Sequence, residues 1–504
     1  MPDLSLIAVS PCTATFLLTP DGTRFALPRP LDWRIEDASG ALVREGRAEV
    51  APLFVEGLLP DAGYTLVCGP KRLAFRTAPC AGLVAAADHG VDPGAPDNTD
   101  ALARAVAAVP EGGTLVLPVG RIASGPVFLR PRITLWLPEG CVLAAHGDRS
   151  GWPILPAREG GRVIGTWEGL PEASFAAPLT GVGCDGLILT GRGTLDAGGD
   201  RGDWWSWPKG TRDGARRPRA LFLAHSDDVQ ISGLTVMNAP SWTVHPYRCD
   251  RLTAAALTIR NPADSPNTDG LNPESCVDAR LVGLDISVGD DCIAVKAGKR
   301  GPNGEGDHLS PTRGLVIEQC RMAFGHGAVV MGSEMSGDIT NVTIRDCMFE
   351  GTDRGLRVKT RRGRGGQVAR IALERIAMDG VATPVALNPF YFCDADGKSD
   401  AVQSRDPSPV GIGTPRLRDI TLTDITATGA GPVGLAALGL PEAPIERVTL
   451  TRVRISFADD AVPEVPLMAL GVPEMRHVPL FAVHADITGR IETPAQNPTE
   501  PAWT

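Results

Sequence analysis

An all-β fold is predicted, a small antiparallel β-sandwich followed by a long solenoid of short strands. Three observations predict it. The 504 residues include 58 glycines and 44 prolines, so turns are frequent and strands must be short. Residues 1–80 alternate apolar and polar positions in brief runs, as half-buried sandwich strands do. Further on, similar apolar runs recur at intervals of about 20–30 residues, the mark of stacked coils.

In the first 80 residues the alternation is clear around Phe16, Leu17 and Leu18 and again around Trp33 and Ile35. The segment 57–67 resembles the tyrosine corner of fibronectin type III domains, with Tyr64 in a structural role. A linker is expected over 79–82 and the solenoid domain over 83–490. Asp88-His89-Gly90 and Asp97-Asn98-Thr99-Asp100 resemble the opening segment of β-helix carbohydrate-active proteins. An amphipathic helix is expected over 100–109 with Thr99 as its N-cap. It would cover the backbone edge of the first coil, which otherwise invites pairing with other chains. The repeated runs begin at Leu187, Val229, Leu252, Leu281, Leu315, Val342, Ile371, Ile420 and Val448. No leucine-rich-repeat ladder of Asn or Cys accompanies them. Residues 491–504, polar and rich in proline, are expected to be a disordered tail.

The formal charge of −10 argues against nucleic acid as a partner. It also repels acidic substrates, so local cations would have to receive them; Lys359, Arg361, Arg362 and Arg364 are the candidates. No apolar run is long enough to span a membrane. The eleven cysteines show no Cys-x-x-Cys or zinc spacing, and most, such as Cys320 and Cys347, are expected to be reduced core residues. The N-terminus lacks a basic region followed by an apolar one, so the expectation is a cytoplasmic protein, or a secreted or periplasmic one in mature form.

Chemistry concentrates in 267–292. Asn267-Thr268-Asp269-Gly270 and Gly289-Asp290-Asp291-Cys292 lie about one coil apart. Stacking at roughly 4.8 Å per coil brings their three carboxyls onto one patch. Crowded acids cannot all ionise, so an acid and a base can coexist near neutral pH, as glycosidic hydrolysis requires. Gly325-His326-Gly327 and Arg357-Val358-Lys359 follow at coil-like intervals, and Arg357 and Lys359 project from one face of a strand. Each motif alone reads more readily as an ordinary turn or solvated loop than as a catalytic element; order and spacing together set them apart.

The four motifs resemble the signature of the polygalacturonases, glycoside hydrolase family 28, from about residue 83 to about 480. The resemblance implies a right-handed parallel β-helix and inverting hydrolysis of α-1,4-galacturonosyl bonds in polygalacturonate or oligogalacturonides, with no metal or other cofactor. It implies Asp290 as general acid, Asp269 and Asp291 as activators of water, and His326 as the group holding their charge state. Asn267, Arg357, Lys359 and Tyr391 would bind substrate. Adjacent strand residues face opposite ways, so Asp290 and Asp291 can share a site only if Gly289 allows a bend. His245 resembles a position of exo-acting relatives. The sandwich and the insertions at 200–219, 301–311 and 361–366 suggest exo action, with loops walling one end of the cleft. In 200–219, Trp204, Trp205 and Trp207 with Lys209, Arg212, Arg216, Arg217 and Arg219 would suit a sugar acid, or would simply pack on the coil beneath. Rival readings are a rhamnogalacturonan or xylogalacturonan hydrolase, a calcium-dependent β-helix lyase, and a non-catalytic glycan-binding β-helix.

Overall fold

The computed structural model describes residues 3–207 and 209–493. Seven strands come first: β1 (Asp3–Val9), β2 (Thr13–Thr19), β3 (Ala26–Asp37), β4 (Leu42–Val50), β5 (Pro52–Glu56), β6 (Gly63–Cys68) and β7 (Lys71–Arg76). They form two antiparallel sheets, β1-β2-β5 and β4-β3-β6-β7. Alternate residues of both sheets point inward, and Phe16, Leu18, Ile35, Tyr64, Leu66 and Phe75 make the core between them. The Tyr64 hydroxyl accepts the Leu59 N–H at 2.9 Å, closing the expected corner.

The two sheets sit directly against the solenoid. Pro52 and Phe54 approach Gly283 and Gly233, both at positive φ, so closely that a Cβ there would stand 2.5 and 2.6 Å from their rings. Only glycine satisfies both the left-handed backbone and the contact.

From Leu83–Ala85 to Ile491–Glu492 the chain winds as a parallel β-helix, and its stacked strands form a 22-stranded sheet. One ladder runs Leu83, Thr114, Thr134, Ile188, Gln230, Thr253, Arg280, Val316, Thr343, Ala372, Thr421, Thr449. The residue after each rung from Ile188 onward points inward, giving a continuous stack of Leu189, Ile231, Ala254, Leu281, Ile317, Ile344, Leu373, Leu422 and Leu450. This stack is the period visible in the sequence. Each coil cannot bury its apolar face alone, so neighbours bury it for one another.

The helix spans Thr99–Ala108 and buries Ala101, Leu102, Ala105 and Val106 in the same core. It starts one residue earlier than expected. Asn98 is the N-cap, with its side chain engaged by the Asp92 backbone, and Asp97 Oδ1 accepts the Thr99 N–H at 2.9 Å. At the other end Ile491 and Glu492 pair with Val453 and Arg454, so these two belong to the last coil and not to a tail. Residues 494–504 lie outside the described residues. All eleven cysteines are free, nine of them buried. Among the described residues no helix is long and apolar enough to cross a membrane.

A second sheet of the β-helix carries the motifs. Its strands Asp291–Val295, Gly327–Gly332, Arg354–Lys359 and Thr383–Asn388 stack in that order. Leu271 extends it backward, bridging Val244 on one side and Ile293 on the other.

Candidate active site

Asp269 stands just before Leu271, and the neighbouring Gly270 N–H donates to the Asp291 carbonyl at 2.9 Å. This bond sets the two carboxylates on adjacent coils side by side. A Cβ on Gly270 would lie 2.5 Å from the Cys292 carbonyl, so the close approach requires glycine. Asp290 occupies the bend ahead of the strand Asp291–Val295, while Asp291 is its first residue. The strand parity rule therefore does not apply to the pair, and both reach one cavity. Gly289 lies in this bend, as expected. A Cβ there would stand 2.4 Å from the Ser265 carbonyl, so glycine lets the bend pack against the loop preceding Asn267.

Asp269, Asp290, Asp291, Asn267, Lys359 and Tyr391 line a single cavity. Arg357 adjoins it: Nη1 donates to Asp291 Oδ1 at 3.2 Å, and Lys359 Nζ donates to Asp291 Oδ2 at 2.5 Å. Both cations also lie over the Tyr391 ring, at 5.6 and 5.4 Å. His326 is exposed at the rim. Its N–H donates to the Asp290 carbonyl at 3.0 Å and its Nδ1 is 3.2 Å from Asp290 Oδ1.

The three carboxyls are not equivalent. Burial, with the charges of Asp290 and Asp291, pushes Asp269 up to about 8 against the pull of Lys296 and Lys359. Burial also raises Asp290, but the His326 hydrogen bond and the charges of Lys359 and Arg357 outweigh it and hold this carboxyl below its usual range. The same hydrogen bond raises the His326 pKa. Of this pair, Asp269 therefore favours its protonated form near neutral pH beside ionised Asp290.

Other expectations need correction. Arg361, Arg362 and Arg364 do not offer free charge to a ligand. Arg361 forks onto Asp396 at 2.6 and 2.7 Å, Arg362 onto Glu442 at 2.6 and 2.9 Å, and Arg364 donates to Asp394 at 2.7 Å. These acids sit on loops remote in sequence. Trp204 and Trp207 stack on each other, at 5.1 Å between ring centres, in a small core with Trp152 and Phe175. His245 is wholly buried between Arg219 and Glu274 and does not line the cavity. Arg217, also buried, donates to Asn267 Oδ1 at 2.5 Å and fixes that amide.

The motifs did not point to Lys296, Glu334, Trp242, Glu168, Cys393 and Asp394, which line the same cavity together with Lys209. One signal for Lys296 is present in the sequence. It shares strand parity with Ala294, and Ala294 lies in register with Val330 and Arg357, the outward row. Three loops meet beside the cavity. The Lys299 N–H donates to the Gly169 carbonyl at 3.0 Å, joining the hairpin of Thr166–Trp167 and Leu170–Pro171 to the loop after Lys296. Lys299 Nζ donates to Asp394 Oδ1 at 2.7 Å. Lys209 pairs with Glu168 at 3.0 Å in the same wall. Among the described residues no group of three or more His, Cys, Asp or Glu is arranged to hold a metal ion.

The chain resembles a probable polygalacturonase of Vitis vinifera, 35% identical over 326 residues, covering 62% of this chain and 63% of that one. It resembles an endo-polygalacturonase of Pectobacterium carotovorum subsp. carotovorum at 27% identity over 286 residues, 53% of this chain and 65% of that one. It thus spans under two thirds of the length of each. A solved family 28 exopolygalacturonase of Yersinia enterocolitica shares the fold, with TM-score 0.69 and 17% identity over 99% of this chain and 97% of that one. Residues 169–465, which hold all three carboxylates, His326, both cations and Tyr391, match the glycosyl hydrolases family 28, and the chain belongs to that family.

Proposed function

We propose that this protein hydrolyses the α-1,4-galacturonosyl bonds of oligogalacturonides or polygalacturonate, with inversion and from a chain end. The observation that carries this reading is the meeting of Asp269, Asp290 and Asp291 in one cavity with Lys359, and with Arg357 alongside. Inverting hydrolysis uses one protonated carboxyl on the leaving oxygen and one ionised carboxylate on the attacking water. Asp290 is the most exposed of the three, its side chain 21% accessible against 5% and 1% for Asp269 and Asp291. It is the one a glycosidic oxygen reaches. A galacturonate carboxylate entering beside Arg357 and Lys359 cancels the positive charge that holds Asp290 low, and the shared proton then moves from Asp269 to Asp290. Asp290 gives that proton to the leaving oxygen. Asp269 and Asp291 take up a proton from the water as its oxygen bonds to the anomeric carbon. His326, with Nδ1 3.2 Å from Asp290 Oδ1, tunes the charge state of that carboxyl.

The wall of Glu168, Gly169, Lys299 and Asp394 supports attack at a chain end, since an interior segment needs a cleft open at both sides. The Yersinia protein of the same fold is named an exopolygalacturonase. The strand orders β1-β2-β5 and β4-β3-β6-β7, with the Tyr64 corner, support a fibronectin type III-like reading of residues 1–80. The test is a product profile on oligogalacturonides of defined length. Mono- or digalacturonate released stepwise from one end is expected. Unsaturated products, or no new reducing ends, would overturn the reading.

A further inference from the structure

A second charged pair lies against the carboxylates and takes no part in the reaction outlined above. Lys296 is 3% exposed, immediately after the strand Asp291–Val295. Its Nζ donates to Glu334 Oε2 at 3.0 Å and stands 3.6 Å from Asp269 Oδ2. The Trp242 ring lies 4.4 Å from the same ammonium. Glu334, also buried, follows the strand Gly327–Gly332 of the next coil. One cation is thus divided between two buried acids, and it sits nearer the one outside the triad.

We propose that Lys296, shared between Glu334 and Asp269, is a positioning residue that sets how readily Asp269 releases its proton. The inference rests on the reading of Asp269 as a water-activating carboxylate. Asp269 faces Asp290 and Asp291, which oppose its ionisation, and Lys296 and Lys359, which favour it. Lys359 is committed to Asp291 at 2.5 Å. Lys296 is therefore the cation available to Asp269. Glu274, His245 and Arg219 form the charged and titratable surroundings on its far side, with Glu274 and His245 joined at 2.9 Å and Arg219 and His245 at 3.2 Å. Burial raises the Glu334 carboxyl, yet Lys296, Lys359 and Arg364 bring it down to about 2, so it stays ionised and keeps its hold on Lys296. An opposite charge at this range moves a buried carboxyl by about 1–3 pH units. The division of Lys296 is thus large enough to place Asp269 on either side of neutrality.

The sharing gives the two partners opposite signs. Lys296→Met removes the cation and makes the proton on Asp269 harder to lose, so the descending limb of the kcat/KM profile on trigalacturonate moves up by about 1–3 pH units. Lys296→Arg keeps the charge and leaves the limb near its original place. Glu334→Gln releases Lys296 toward Asp269, and the limb moves down. A packing role for the pair would not produce this reversal. Lys296→Met leaves Glu334 buried without its partner and is the variant most prone to misfold. Glu334→Gln then decides alone, with a thermal melt to show that it is folded. An unmoved or upward limb in Glu334→Gln, or shifts of one sign in both variants, would overturn the proposal. If the wild type releases no sugar from trigalacturonate, the polygalacturonase reading fails instead. Carbon NMR titration of the Asp269 carboxyl in ligand-free wild type and Glu334→Gln still tests the inference, with a downward shift expected and an unchanged midpoint against it.

Discussion

Replacing Asp291 by Asn removes the anion to which both Arg357 and Lys359 are bonded. The Asp291 side chain is 1% exposed and those of its partners 12% and 9%, so the three charges form a nearly dry triad. Breaking a buried ion pair by deleting one partner costs about 3–5 kcal/mol, because the remaining charge has no compensation. Unfolding entropy of about 2.1 cal/mol/K per residue amounts to roughly 1 kcal/mol/K for this chain. Calorimetry should therefore show a Tm about 3–5 °C lower for Asp291→Asn, along with lost activity. Asp290→Asn is the control. Asp290 sits in the bend at the cavity mouth, and asparagine can still accept the Asp291 N–H that the carboxylate accepts at 3.0 Å. Its Tm should fall by less than half as much, while turnover on polygalacturonate drops about 10²–10⁴-fold through loss of the general acid. Equal melting points for the two variants would refute the assignment of Asp291 as the charge anchor. Near-normal turnover in Asp290→Asn would refute the acid.

If the reaction inverts, proton NMR of the first product should show the β anomer before mutarotation, and an initial α anomer would exclude the mechanism. Lys359→Met should lower turnover on every substrate, because it also strips Asp291 of a partner. The loss on free-acid oligomers should exceed that on methyl esters by about tenfold, the worth of one charge-assisted hydrogen bond; equal losses would leave the lysine as a partner of Asp291 alone. The wild type should release many reducing ends before a polygalacturonate solution thins, and trimming the 166–171 hairpin should make viscosity fall earlier. Viscosity collapsing after only a few bonds are cut by the wild type would rule out chain-end attack.

The coil period, the inward stack and the convergence of Asp269, Asp290, Asp291, Arg357 and Lys359 are readable from the one-dimensional chain. These are legible because a solenoid is locally encoded. Each coil meets only its neighbours, and strand parity puts Arg357 and Lys359 on one face, while Asp290 joins Asp291 only because it lies in the bend before the strand. The tertiary structure alone decided which charges remain available. Arg361, Arg362 and Arg364 read as a basic patch in one dimension, but Asp396, Glu442 and Asp394 arrive from loops that no period registers. Trp204 and Trp207 likewise packed on each other and on Trp152 and Phe175, since large apolar faces bury where a partner surface exists. The cavity wall depends on a hairpin at 166–171 meeting Lys299, more than a hundred residues later. The sharing of Lys296 between Glu334 and Asp269 depends on distances of 3.0 and 3.6 Å between separate coils. Partner choice among buried charges is settled by tenths of an ångström and by desolvation, quantities that exist only once the chain is folded.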